Sequence, residues 1–372
     1  MSAVRVLQVL GCLDRGGAEN MIMSIYRNID REKIQFDFIL HLSRPGDFDE
    51  EAKSLGAQIF YAPQYNGKNH FEYKKWWNDF FKAHPEYKLL HSHIRSTASI
   101  CTEIAHKYGV KTIVHSHNTM NSGSGIGSFV KNLLQSNITR YADECLACSD
   151  AAGKWLFKDH SYTLIHNSID ARKFTFNEEY RRKIREKHNL GDSFVIGHVG
   201  RFHKQKNQPF LMEIFAEILK IRSDSRLVLA GGKIGSEGIE KQELIDYAEK
   251  LNIADKVIFA GNVPNINEYL SAFDVLVFPS IHEGLPVTLI EAQAAGLYCF
   301  VSDAVSKESK ITENMEFVSL EKTASQWAEK VLAVDYKQRK DCYEDVYNAG
   351  YDIEAGVEKF EEVYYSLLGI KE

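Results

Sequence analysis

Two glutamates, Glu283 and Glu291, stand in the run Phe278-Pro-Ser-Ile-His-Glu283-Gly-Leu-Pro-Val-Thr-Leu-Ile-Glu291-Ala-Gln-Ala-Ala-Gly296. The apolar residues 275–278 predict a buried strand, residues 280–286 a loop, and a helix opens near Val287 and ends at Gly296. One carboxylate therefore sits in the loop and the other on the first turns of the helix. Gly284 lets a backbone approach a ligand closely, and Pro286 suits a helix start. A helix N-terminus offers free amides and the positive end of a dipole to an anion. Amides for phosphate beside carboxylates for hydroxyls suit a sugar nucleotide. The plain alternative is a strand–loop–helix whose glutamates only favour the helix start.

Two other glycine loops follow strands. Gly11-Cys-Leu-Asp-Arg-Gly16-Gly17-Ala-Glu19 follows the first strand and opens the first helix, without the GxGxxG order of a dinucleotide fold or the GxxxxGK of a P-loop. Gly200-Arg201-Phe-His-Lys-Gln-Lys206-Asn207 holds the matching place in the second half. Arg201, as a fork, and Lys206, as a point charge, are suited to one diphosphate.

The elements that must position these loops alternate twice over. Strands are expected at 4–10, 36–42, 58–61, 89–93, 112–115 and 144–148, then at 194–199, 226–230, 257–260, 275–278, 299–301 and 317–320. Helical patterns such as 18–27, 73–82 and 128–141 intervene. This alternation predicts an α/β chain of two doubly wound, parallel-sheet (Rossmann-like) domains with a cleft between them. Ligands in such sheets bind beyond the carboxyl ends of strands. The turn-rich residues 165–170, followed by a charged helix at 178–188, mark the break, giving domains 1–168 and 169–352.

Composition narrows the class. With 372 residues, 44% hydrophobic and 26% charged, the chain is long enough for two domains, and its net charge of -6 speaks against bulk nucleic-acid binding. No signal-like leader and no membrane-length apolar run is read, and the six scattered cysteines fit a reducing cytoplasm. Cys145 and Cys148 form a lone CxxC, too little for a zinc site.

Histidines cluster near strand ends. His91 and His93 share a strand face, as do His115 and His117. Metal binding is disfavoured because no suitably spaced carboxylate accompanies them. Trp76, Trp77, Phe80 and Phe81 form an aromatic stripe whose favoured reading is core packing, with a membrane-surface helix as the alternative. The glycines of 123–127 suggest an acceptor-side loop.

Gly200-Arg201-Phe…Lys206-Asn207 with Glu283-Gly-Leu-Pro…Glu291 resembles the retaining glycosyltransferases of family four, which have the GT-B fold. Gly16-Gly17-Ala-Glu19 and His117 extend the likeness over nearly the whole chain, which looks most like bacterial transferases of capsule or exopolysaccharide assembly. The resemblance implies that Arg201 and Lys206 hold a donor diphosphate, assisted by the Gly16–Gly17 amides. It also implies that Glu283 meets sugar hydroxyls and that amides around Gly284, Leu285, Val287 and Thr288 bind sugar and phosphate. Glu291 would take the ribose, the base would lie near Asn262 and Val263, and His117 would face the sugar or acceptor. Glu283, His117, Arg201 and Lys206 form the expected catalytic set. Residues 353–372 would form a helix crossing back to the first domain, the acceptor side; residues 360, 363, 364 and 367 give its apolar face. The implied reaction moves a hexose or N-acetylhexosamine from a UDP-sugar to a saccharide acceptor, typically lipid-linked, with no metal and no other cofactor. Its place is the cytoplasm, with contact at the inner face of the plasma membrane as a variant. The competing readings are a GT-B UDP-sugar epimerase and a non-catalytic subunit of a polysaccharide assembly complex.

Overall fold

Val, Ile, Leu and Phe fill the short runs of both halves, and in the central strands of each sheet they are buried on both faces, as parallel sheets flanked by helices require. The computed structural model describes residues 3–117, 134–135, 137–232, 238–336 and 339–370. Two units result, Met1–Ser168 with Ile353–Glu372, and Ile169–Asp352.

The first unit carries β1 (Val4–Leu10), β2 (Ile34–Leu40), β3 (Ile59–Tyr61), β4 (Leu89–Ser92), β5 (Lys111–Ser116), β6 (Glu144–Ala147) and β7 (Thr163–Leu164). They form a seven-stranded sheet in the order β3-β2-β1-β4-β5-β6-β7, every pairing parallel. The second unit carries β8 (Val195–Val199), β9 (Arg226–Ala230), β10 (Val257–Gly261), β11 (Val275–Phe278), β12 (Tyr298–Ser302) and β13 (Met315–Val318). Their order is β10-β9-β8-β11-β12-β13, again all parallel. The doubly wound α/β fold follows from the alternation.

The strand expected at 36–42 is shifted back to Ile34–Leu40. Val4 pairs with Ile34 at its start, and beyond its end the Leu42 amide turns to the Gly11 carbonyl at 2.9 Å. The strand expected at 317–320 begins earlier, at Met315, because Met315 is in register with Cys299. Strand β7, paired only through Thr163 and Leu164, is too short and polar to show a period. Of the helix expected at 128–141, residues 137–141 are a turn; most of the rest, with the loop 123–127, lies outside the described residues.

The aromatic stripe is core. In the helix His70–Ala83, Tyr73, Trp77, Phe80 and Phe81 are buried and Trp76 is half-buried. The last helix, Ile353–Leu368, belongs to the first unit and buries Val357, Phe360 and Tyr364 among Tyr26, Phe36 and Leu89, with Val363 and Leu367 packed at the margin. Gly356 is required there, since a Cβ would stand 2.4 Å from the Ser168 hydroxyl. In the second unit, Asp274 closes the amino ends of β8 and β11. It takes Arg181 and Arg185 at 2.7 Å each and the Val195 amide at 2.7 Å.

Candidate functional site

In the second unit the chain leaves β8 toward β9 and leaves β11 toward β12, so β8 and β11 flank the point where strand order reverses. Such switch points open a crevice at the carboxyl ends of the strands. The loops that emerge there are 200–207 and 279–286, which hold Arg201, Lys206, Glu283 and Gly284. They are knitted together: the Ile281 amide donates to the Gln205 carbonyl at 2.8 Å, and the Gln205 amide to the His282 carbonyl at 2.6 Å. Asn207 Nδ2 donates to the Pro279 carbonyl at 3.2 Å. Gly200 and Gly231 touch so closely that a Cβ on Gly231, whose φ is +141°, would lie 1.9 Å from the Gly200 oxygen. The next loop joins them, as the Gly231 amide donates to Gly261 at 2.8 Å and Gly232 faces the Asn262 side chain. Val263 is partly buried against the core just beyond.

Where these loops meet, Lys206 Nζ lies 2.8 Å from Glu283 Oε1, both side chains being largely enclosed at 13% and 12% exposure. The contact is ionic; Glu283 Oε1 has no aligned hydrogen-bond donor among the described residues. Lys206 Nζ also stands 4.5 Å above the Phe278 ring. Arg201 is exposed, and its guanidinium has no partner among the described residues. Gly284 is exposed with open space where a Cβ would be, whereas Leu285 and Val287 pack partly on the core. The helix runs Val287–Ala294 behind Pro286, so the amides of Val287 and Thr288 fall in its first turn, which has no intrahelical acceptors. Glu291 sits one turn further on, and burial pushes its carboxyl up to about 7 against the pull of Lys173.

The first unit brings together residues that the sequence shows as two separate pairs. β4 lies beside β5, and His91, His93, His115 and His117 stack, with ring centroids 4.1 Å apart for His115–His117 and 4.2 Å for His91–His93. Burial drives the first three well below the ordinary histidine value and His117 to about 4. His91, His93 and His115 each offer a ring nitrogen within 4.8 Å of the others, a spacing that could hold a metal ion. Both nitrogens of His91 and of His93, and Nδ1 of His115, are engaged in hydrogen bonds to neighbouring rings, Gln8 and Tyr364, whereas His115 Nε2 has no partner among the described residues. At the end of β1, Gly16 caps the helix Gly17–Asn28, and the Glu19 carboxylate lies over it; Gly17 is exposed.

Residues 15–173 match the family described as Glycosyltransferase Family 4, and residues 180–349 the one described as Glycosyl transferases group 1. EpsF of Bacillus subtilis, a candidate glycosyltransferase, is 33% identical across 98% of this chain and 97% of its own length. This chain is a family-four glycosyltransferase.

The transferase is also similar to the capsular polysaccharide biosynthesis glycosyltransferase CapH of Staphylococcus aureus, at 25% identity over 98% of this chain and 99% of CapH. A UDP-Gal:α-D-GlcNAc-diphosphoundecaprenol α-1,3-galactosyltransferase of Escherichia coli is 27% identical over 76% of each chain. Among solved structures, Anabaena Alr3699/HepE in complex with UDP superposes with a TM-score of 0.77 at 17% identity, covering 98% of this chain and 100% of that one. The fold is GT-B.

Two residues of the transferase were not singled out in the sequence. His198, fully buried on β8, holds the Val277 carbonyl through Nδ1 at 3.1 Å, and burial carries it down to about 4. It stacks on Phe278 beneath Lys206. Its signal was a histidine inside an apolar strand. Gln293, also fully buried, accepts from the Ile311 and Thr312 amides at 2.9 Å each, pinning the helix that carries Glu291. An isolated glutamine late in a helix gave no sign of that.

Proposed function

We propose that the transferase moves a hexose or N-acetylhexosamine from a UDP-sugar to a saccharide acceptor carried on a lipid, with retention of anomeric configuration, in bacterial capsule or exopolysaccharide assembly. The observation that carries this reading is the Lys206–Glu283 pair at the switch point, beside Arg201, whose guanidinium has no partner among the described residues. A diphosphate entering there attracts Lys206 away from Glu283, and Arg201 adds a second cation. Glu283, relieved of its lysine, accepts from sugar hydroxyls. As the donor bond breaks, charge builds on the departing UDP, and the two cations are already in place to stabilise it. First-turn amides at Val287 and Thr288 add to that field. Glu291 takes the ribose, and Asn262 and Val263 border the base; for Gly16, Gly17 and His117, which belong to the first unit, the family resemblance alone supplies a donor or acceptor role. Two cations suffice for a diphosphate, so no metal is assigned.

The UDP moiety and the lipid carrier draw support from the names of HepE's ligand and of the Escherichia coli relative, and the pathway from CapH. No helix among the described residues is long and apolar enough to cross a membrane, and a cytoplasmic enzyme working at the inner face of the plasma membrane fits that.

A thermal-shift screen over nucleotide sugars identifies the donor, because a ligand of the native state raises apparent stability by mass action. UDP release with that donor is then followed with and without lipid-linked saccharides. Acceptor-dependent release is expected. Acceptor-independent conversion of the sugar on UDP would make the protein an epimerase, and no binding of any nucleotide sugar would make it a non-catalytic partner.

A further inference from the structure

The four stacked histidines are joined to both ends of the chain through one amide. Gln8 on β1 directs its Oε1 to His93 Nε2 at 2.9 Å and its Nε2 to the Tyr364 hydroxyl at 3.1 Å. Tyr364 comes from the last helix and lies 2.8 Å from His91 Nδ1. His91 Nε2 is 3.3 Å from His115 Nδ1, and His93 Nδ1 is 2.9 Å from His117 Nε2. Two ring nitrogens in this set lie buried without a partner among the described residues, His115 Nε2 and His117 Nδ1.

His91 and His115 are buried and His93 and His117 half-buried; desolvation lowers all four, so each packed ring is neutral and has one N–H and one lone pair. That rule propagates along the chain of contacts. The Gln8 carbonyl can only accept, so His93 carries its proton on Nε2. Its Nδ1 must then accept, and His117 donates from Nε2, which leaves a lone pair on His117 Nδ1. On the other branch, the Gln8 amide donates to Tyr364, and Tyr364 donates to His91 Nδ1. His91 donates from Nε2 to His115 Nδ1, and His115 retains its proton on Nε2. All four rings share one tautomer. Turning the Gln8 amide over would move all four protons to Nδ1 together, whereas a mixed set leaves either one of these contacts or the buried Tyr364 hydroxyl proton without a partner. Orientation of an amide is set by such networks.

We propose that Gln8 and Tyr364 are positioning residues that hold His91, His93, His115 and His117 in a common Nε2–H tautomer, so that His117 presents the Nδ1 lone pair to a hydroxyl of the bound sugar or acceptor. This rests on the glycosyl-transfer reading of His117 given above. An unpaired buried acceptor is costly to leave empty, and a sugar hydroxyl is the donor that this reading supplies.

The test uses the full-length protein labelled with ¹⁵N-histidine. Nitrogen shifts and proton couplings report the tautomer of each ring, and single His→Gln variants assign them. The expected result is Nε2–H at all four. Gln8→Leu should let His93 and His117 populate both tautomers and lower kcat by about 10-fold or more, with Kd for UDP within about twofold. Gln8→Glu keeps an acceptor for His93 and should restore the His117 tautomer and most of kcat, which a merely structural role would not do. Tyr364→Phe should free His91 and His115 while leaving His117 fixed. Mixed or Nδ1–H tautomers in the unaltered protein would overturn the proposal without any variant having to fold. So would a stoichiometric transition metal in the purified protein, since it would consume the lone pairs of His91, His93 and His115. Loss of the tautomer in Gln8→Leu with unchanged kcat would remove the positioning role. A uniform Nε2–H set in a protein that transfers no sugar would sink the transfer reading and leave the tautomer lock standing.

Discussion

Lys206 and Glu283, 77 residues apart, neutralise each other across 2.8 Å in an enclosed crevice, so neither is available to a ligand until the other is given up. On the proposed reading, the two residues act as a latch on the donor site. A coupled pair of this kind is measured by a double-mutant cycle, because removing one partner strands the other.

Glu283→Gln keeps the shape of the side chain and frees Lys206. Sugar transfer should fall by about 10²-fold, the scale of a lost charge-assisted contact in the transition state. Binding of UDP should tighten, because the lysine no longer has a competitor. Lys206→Ala should lose both transfer and UDP affinity, and the double variant should show less than the sum of the two losses. Calorimetry with UDP on the three proteins checks this. UDP binding weakened by Glu283→Gln would mean that Glu283 shapes the loop and does not compete for the lysine.

If Glu291 holds the ribose as proposed, uridine binding should depend on pH. Its folded carboxyl is raised to about 7 from an ordinary 4.5, so the folded state holds its proton where the unfolded chain has lost it. Stability should therefore fall as pH rises from roughly 4.5 to 7, by on the order of 1–3 kcal/mol, and Glu291→Gln should flatten that slope. Ribose hydroxyls donate to the ionised form, so uridine should bind more tightly at pH 8 than at pH 6. Uridine has no phosphate to titrate, which isolates the carboxyl. An equal uridine Kd at the two pH values would take Glu291 out of the ribose contact.

Activity should survive an excess of chelator. On the proposed reading, Arg201 and Lys206 bring two positive charges to the diphosphate, and no divalent ion should be needed to neutralise it. Assays in EDTA, with and without added magnesium or manganese, decide the point. Activity lost on chelation and regained with metal would refute the assignment.

Asp274→Ala should destabilise the second unit without touching the site. It leaves Arg181 and Arg185 facing each other with no carboxylate and frees the Val195 amide, a loss of about 3 kcal/mol. Denaturant unfolding should show it, while UDP affinity at low temperature stays at the value of the unaltered protein. A parallel drop in UDP affinity would link the two ends of the sheet.

The loops were legible because their chemistry is local. Gly200, Gly284 and Pro286 punctuate the chain after apolar runs, and the charged residues beside them can face little except solvent or a ligand. The strands were legible for the same reason, save where a pairing decides the boundary: Ile34 joins β2 because Val4 is opposite it. What escaped the sequence is lateral. Nothing in the spacing of His91 and His115 tells that β4 neighbours β5, so two histidine pairs could not be seen as one network. The Lys206–Glu283 contact needs β8 beside β11, and the raised Glu291 carboxyl depends on atoms gathered from several segments.

The helix Ile353–Leu368 fills the core of the first unit with residues that are made only after the whole second unit. Tyr364 meets Gln8 across 356 positions of sequence, and Phe360 packs among strands completed before residue 117. During synthesis the second unit is contiguous and can close by itself, while the first must wait about 10–40 s after its strands emerge before its final helix arrives. For that interval Tyr26, Phe36 and Leu89 lack their cover. A chain cut short before Ile353 would thus leave its beginning unfinished and its middle intact, a nascent polypeptide recognisable to a chaperone by the sticky half that came out first.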